Sequence, residues 1–70
     1  MSARDTVVAL RAAIAALRTA RGKIEDWTPA GRIAAMDLDH AITVVERVAE
    51  SMAETAQQDE TARAEREQGR

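Results

Sequence analysis

The chain has 70 residues, no cysteine and a formal net charge of −2 at pH 7, with 46% hydrophobic residues. This length allows one small domain, and the lack of cysteine excludes a disulfide or a thiolate–metal site as support for its core. The sequence has no apolar run long enough to span a bilayer, and MSARDTVVALR does not have the pattern of a signal peptide, so we expect a cytoplasmic protein.

The charge is distributed unevenly along the chain. Residues 1–28 hold five basic and three acidic side chains, whereas residues 29–70 hold five basic and nine acidic ones. Opposite net charges favour folding of the two halves against each other. The negative total is not typical of a protein that binds nucleic acid.

The first predicted helix covers about residues 2–26. Ser2 followed by Asp5 resembles a capping box, which satisfies free amides in the first helical turn. Gly22 offers an earlier C-terminus, but Ile24 keeps the apolar register and favours the later end. The apolar side chains recur at alternating intervals of three and four, which indicates one helical stripe. The large residues of this stripe are Val7, Leu10, Ile14, Leu17 and Ile24.

The stretch IEDWTPAGR predicts a corner at residues 26–29. Thr28 can cap a helix, and Pro29 suits the first helical position because the amide it lacks would have no partner there. We predict that Trp27 packs on Ile33 or stacks on Arg32, closing the open end of a hairpin. The alternative is that this tryptophan is an exposed hot spot for a partner.

The second predicted helix covers about residues 29–57. Its outer face is acidic, and beyond it alanine is the only apolar residue type. Residues 58–70 bury nothing even where they continue the helix, so we expect a polar tail that is frayed or disordered, with a helical extension as the alternative. The central apolar stripe is Ala34, Leu38, Ala41, Val45, Val48 and Met52, flanked by Ile42, Ala49 and Ala56 on one side and by Ile33 and Val44 on the other.

A short corner between two amphipathic helices predicts an all-α fold, an antiparallel two-helix hairpin formed by residues 1–57. With the turn near residue 28 or 29, apolar side chains face each other in nearly every layer. The predicted layers pair Val7 with Met52, Leu10 with Val48, Ile14 with Val45, and Leu17 with Ala41. The same register predicts four ion pairs, Arg21–Asp37, Arg18–Asp39, Arg11–Glu46 and Arg4–Glu54.

One hairpin leaves much of its apolar surface in water, because two helices share only one seam. We therefore expect association, either with a second copy into a homodimeric four-helix bundle or with a larger protein. A row of small side chains on the first helix allows close helix approach; its members are Ala9, Ala13, Ala16 and Ala20. The candidate partner-binding residues are Trp27, Ile33, Met36, Ile42 and Val44.

Nucleic-acid binding is the alternative function. Arg4, Arg11 and Arg18 recur every seven residues and form a row that could contact phosphates. The general design resembles that of ROP, a plasmid RNA-regulating bundle protein, in architecture only, and no residue role is carried over. Ion pairs across the hairpin explain the arginine row without a ligand.

The sequence predicts no catalytic, cofactor or metal site. Asp37 and His40 lie three residues apart, as in a Glu-x-x-His metal motif, but the first helix offers no acid opposite them. No nucleophile, base and acid occur together, and a two-helix rod has no pocket that would exclude water.

We therefore expect a small non-enzymatic protein–protein interaction module. A helical adaptor or regulator of this size would suit a phage or another mobile element as an accessory protein. A further hypothesis is that the acidic second helix and the tail act as a mimic or a ligand for a basic protein.

Overall fold

The computed structural model describes residues 2–69, which form two antiparallel helices joined by residues 23–28. Helix α1 covers Ala3–Gly22 and helix α2 covers Pro29–Gln68. The helices pack along each other and form a rod with dimensions of 63 × 14 × 14 Å. The predicted all-α hairpin is confirmed.

Both predicted helix starts are present in the structure. The Ser2 hydroxyl accepts a hydrogen bond from the Asp5 amide at 3.2 Å, and the Asp5 carboxylate accepts one from the Ser2 amide at 3.4 Å. At the corner, the Thr28 hydroxyl accepts a hydrogen bond from the Gly31 amide at 2.9 Å, with Pro29 in the first helical position. These side chains satisfy amides that have no partner inside the helix.

Helix α1 ends at Gly22, earlier than predicted. The amides of Lys23 and Ile24 donate to the carbonyls of Ala20 and Arg21, at 3.1 and 3.2 Å. These bonds reach back three residues rather than four, so they tighten the last turn and close the helix. The half-buried Ile24 therefore belongs to the connection, although it continues the apolar spacing.

The connection packs closely against the first turn of α2. The Thr28 hydroxyl donates a hydrogen bond to the Glu25 carbonyl at 3.1 Å. A Cβ built on Gly31 would overlap that same carbonyl oxygen. Glycine at position 31 therefore allows the backbone of the connection to lie directly on α2.

The core lies between the helices and is built from a few apolar side chains. Ile14, Ile42 and Ala49 form one buried cluster, and Ala35 is buried towards the corner. The predicted stripe is confirmed for its four members within α1, with Ile14 buried and Val7, Leu10 and Leu17 half-buried. The residues packed against the buried cluster are Leu10, Leu17, Leu38 and Val45.

The central stripe predicted for α2 is confirmed in part, since Leu38 and Val45 pack against the buried cluster and Ala41 and Met52 are half-buried. Ala35, Ile42 and Ala49 face α1, whereas Ala34 and Val48 are exposed. Small side chains before and after Ile42 leave room for the bulky side chains of α1, so large and small residues interdigitate. Helix α2 is therefore rotated about its axis relative to the prediction, so that the side containing Ile42 faces α1.

The ion pairs join the predicted arginines to different acids. Every acidic partner lies further along α2 than predicted, because the connection runs back over the first turns of that helix. The predicted pair between Arg11 and Glu46 does not form, since Glu46 pairs with Arg18. The observed pairs are Arg21–Asp39 at 3.0 Å, Arg18–Glu46 at 3.0 Å and Arg4–Glu60 at 3.4 Å.

In the polar C-terminal segment α2 continues to Gln68, which is the helical alternative to a frayed tail. Its residues are mainly Ala, Glu, Gln and Arg, which have high intrinsic helix propensity. The pair between Arg4 and Glu60 ties the start of this segment to α1. Residues 57–69 are nevertheless all exposed, so the segment contributes nothing to the core.

Candidate interaction surface

Most of the predicted partner-binding residues lie on the surface of the hairpin. Trp27 is 74% exposed, Met36 71%, Ile33 64% and Val44 41%. Trp27 therefore does not close the end of the hairpin as predicted, and its exposed position agrees with the alternative interpretation. The partner-binding role of these residues remains a prediction.

The prediction that Ile42 lies on the partner-binding surface is wrong. Its side chain is 7% exposed and packs with Ile14 in the buried cluster. The orientation of α2 is the cause, because it brings Ile42 inward and moves Val48 outward to 45% exposure. Val8, at 64% exposure, is a further large apolar side chain on the outside.

One broad face of the hairpin is ionic. The Arg18–Glu46 and Arg21–Asp39 pairs both lie on this face, where they connect one side of α1 to the adjacent side of α2. Between the helices on this face runs a shallow groove with apolar side chains at its base and charged side chains at its rims. Its lining residues are Arg11, Ile14, Ala15, Arg18, Glu46, Ala49 and Glu50.

The opposite broad face is apolar. At about 100° of rotation per residue, the alanine row of α1 lies on the flank away from the arginine row. A matching row on α2 lies away from Asp39 and Glu46. All side chains of the two rows are exposed except Ala41, which is half-buried. We call this surface the alanine–valine face, and it consists of Ala9, Ala13, Ala16, Ala20, Ala34, Ala41, Val44 and Val48.

Two charged residues continue these rows at the corner end of the rod. Lys23 caps the end of α1 three residues after Ala20, and Asp37 lies between Ala34 and Ala41 in the row of α2. Both side chains are exposed, and no ion pair joins them in the described part of the chain. They lie at a similar level along the rod, since the nearby Arg21 contacts Asp39.

The α2 row was not recognised from the sequence as a separate surface. The sequence predicts that Ala34, Ala41 and Val48 belong to the hairpin core, because a spacing of seven residues is equally typical of a buried stripe. Only the orientation of α2 separates the two neighbouring rows. The signal available in the sequence was the presence of two apolar rows on α2, where a single partner helix requires one.

Two general features of residues 2–69 bear on the kind of site. No three His, Cys, Asp or Glu side chains lie close enough together to hold a metal ion. Neither helix combines the length and the apolar character needed to cross a membrane.

Comparisons of this chain with protein-family models, with curated proteins and with solved structures give no significant match. Its function is therefore inferred from the surface of the hairpin.

Proposed function

We propose that this chain is a small non-enzymatic protein–protein interaction module, a cytoplasmic helical hairpin that acts as an adaptor or regulator by docking its apolar surface on another chain. The supporting observation is the division of its apolar side chains. Four residues are buried between the helices, two of them alanine, whereas six large apolar side chains are exposed within residues 2–69.

Burial of exposed apolar surface gives the free energy for association, and two of the six side chains, Val44 and Val48, lie on the alanine–valine face. Covering apolar surface contributes roughly 25 cal/mol per Å², and contiguous apolar faces on small soluble domains are commonly contact surfaces. The alanine–valine face is continuous over both helices, and Val44 and Val48 are its largest side chains. An exposed Trp27 at the corner adds an amphipathic side chain of the kind that is enriched at protein interfaces.

The shape of the rod supports the non-enzymatic part of the proposal. The described chain is 14 Å thick in two directions, which is the thickness of two packed helices. The groove on the ionic face is flanked by Arg18 and Glu46, which already pair with each other at 3.0 Å. Substrate in such an open groove would remain in contact with water, whereas catalytic pockets usually exclude it.

The first test is site-specific photo-crosslinking in cells that make the protein naturally. A benzophenone amino acid at position 48 should give covalent adducts with another chain, because Val48 lies on the apolar face. The matched control is the same probe at position 50, since Glu50 is exposed on the same helix but borders the ionic groove. Adducts at neither position would contradict the proposal, and adducts at position 50 alone would favour the acidic-mimic hypothesis.

The nucleic-acid alternative has less support from the arginine row. Arg4 and Arg18 pair with Glu60 and Glu46, so carboxylates already offset two of the three charges. We expect no retention of RNA or DNA in a filter-binding assay with micromolar protein at low salt, where phosphate contacts are strongest. Retention that fell steeply with added salt and was weakened by Arg11→Ala would instead favour the ROP-like function.

A further inference from the structure

We infer that the alanine–valine face is covered by a second copy of this chain, packed face to face with both corners at the same end of a four-helix bundle. This inference rests on the proposed function and specifies its partner. In this arrangement α1 of each copy lies against α2 of the other, and all neighbouring helices are antiparallel.

The two rows of the face complement each other in size. On α1 the row consists of alanines at heptad spacing, which leaves a shallow depression along the helix. On α2 the row carries Val44 and Val48, which form a ridge. The twofold axis lies between the two copies and runs parallel to the long axis of the rod. Rotation about it places the ridge of each copy in the depression of the other, which is the self-complementarity that an isologous interface requires.

The levels of the residues along the rod agree with this arrangement. Contacts across the hairpin place Arg21 beside Asp39 and Ile14 beside Ala49. Val44 therefore lies at a level between Ala16 and Ala20, and Val48 at a level between Ala13 and Ala16. Since a rotation about an axis parallel to the rod preserves these levels, each valine fits between two successive alanines of the other copy's row.

The charges on the face determine whether the corners of the two copies lie at the same end or at opposite ends of the bundle. Asp37 lies at about the level of Lys23, so the same rotation places Asp37 of one copy beside Lys23 of the other. The opposite orientation, with the corners at opposite ends, would place Asp37 near Ala9 or Ser51, where no basic side chain is available. An unpaired carboxylate at an apolar interface is unfavourable, and this favours the arrangement with adjacent corners.

The experiment measures molar mass by light scattering over a wide range of protein concentrations. Wild type should have the mass of two chains, and Ala16→Glu should raise the dimer dissociation constant at least tenfold. The matched control is Ala15→Glu, because Ala15 is exposed on the same helix but lines the ionic groove. Both variants make the same chemical change at an exposed helical position, so circular dichroism should show similar helix content.

A charge-reversal series tests the orientation. Asp37→Lys should weaken the dimer several-fold, and the double variant Asp37→Lys with Lys23→Asp should restore it. Failure of the double variant to recover would overturn the arrangement with adjacent corners. The cysteine-free chain also permits Lys23→Cys with Asp37→Cys, in which mild oxidation should give disulfide-linked dimers.

The failures of this inference and of the proposed function can be told apart. A dimer that Ala16→Glu leaves intact would show that another face is used, and the interaction module would stand. Wild type with the mass of one chain at every concentration would exclude the second copy. Val48 adducts with a different protein would then still support the module, whereas no adduct would remove both.

Discussion

Substitution of Gly31 by alanine should destabilise the hairpin by about 1–3 kcal/mol, the usual cost of forcing extra volume into a closely packed site. The new Cβ would overlap the Glu25 carbonyl oxygen and would also lie 2.7 Å from the Thr28 hydroxyl oxygen. Both neighbours hold the corner, because Thr28 donates to Glu25 and accepts from the Gly31 amide. Relief of the overlap therefore requires that the connection moves away from α2.

Gly22→Ala is the matched control for this effect. A Cβ at position 22 would have no atom within 4 Å, and no glycine within residues 2–69 has a positive φ. Since alanine is favoured over glycine in a helix, this variant should be more stable by about 0.5–1 kcal/mol. Urea unfolding at one fixed protein concentration, followed by circular dichroism, measures both values. Equal stability of the two variants would contradict the close packing at Gly31.

Truncation of Ile42 to alanine should cost about 2–4 kcal/mol, because the side chain is 7% exposed and its removal leaves a cavity beside Ile14 and Ala49. The core has few members, so neighbouring side chains have little freedom to fill the space. A loss of this size is a large fraction of the total stability of a chain this short. We expect a substantial fall in helix content at 37 °C.

Ile33→Ala makes the same chemical change on the same helix but at a position that is 64% exposed. Its effect on the free energy of unfolding should stay within about 0.5 kcal/mol. The two variants also separate the sequence-based prediction from the structure, since both isoleucines were predicted to face a partner. A surface role for Ile42 would leave folding intact and would weaken association instead.

Local signals in the sequence were sufficient for the outline of the fold. Ser2 with Asp5, and Thr28 with Pro29, fix the helix starts through hydrogen bonds within four residues, and the structure confirms both. The stripe of α1 was also predictable, because that helix has only one row of large apolar residues. Such features do not depend on the position of the rest of the chain.

The features that were missed all depend on the path of the connection. Closure of α1 at Gly22 and the close contact at Gly31 set where the chain enters α2, and no periodicity records this. The rotation of α2 then decides whether Ile42 or Val48 faces α1, since both occupy regularly spaced apolar rows. It also changes the acid that each arginine meets, so the ion pairs were predicted in kind but with the wrong partners.

The candidate surface could be predicted only in part from the sequence, for the same reason. The alanine row of α1 was recognised from its spacing, since these small residues lie apart from the large apolar stripe. The row of α2 that contains Val44 and Val48 is distinct from the core only because Ala35 and Ile42 fill the space against α1. Asp37 and Lys23 indicate the orientation of the two copies only because the structure places them at a common level along the rod.

The elongated form of the chain has a consequence for its hydrodynamics. The rod is more than four times as long as it is thick, at 63 × 14 × 14 Å. A single chain of this shape has a larger frictional coefficient than a sphere of equal mass, so it elutes from a sizing column ahead of compact proteins of 7.6 kDa. Side-by-side pairing doubles the mass but adds little length, so the maximum dimension in small-angle scattering stays close to that of one rod while the cross-sectional radius grows.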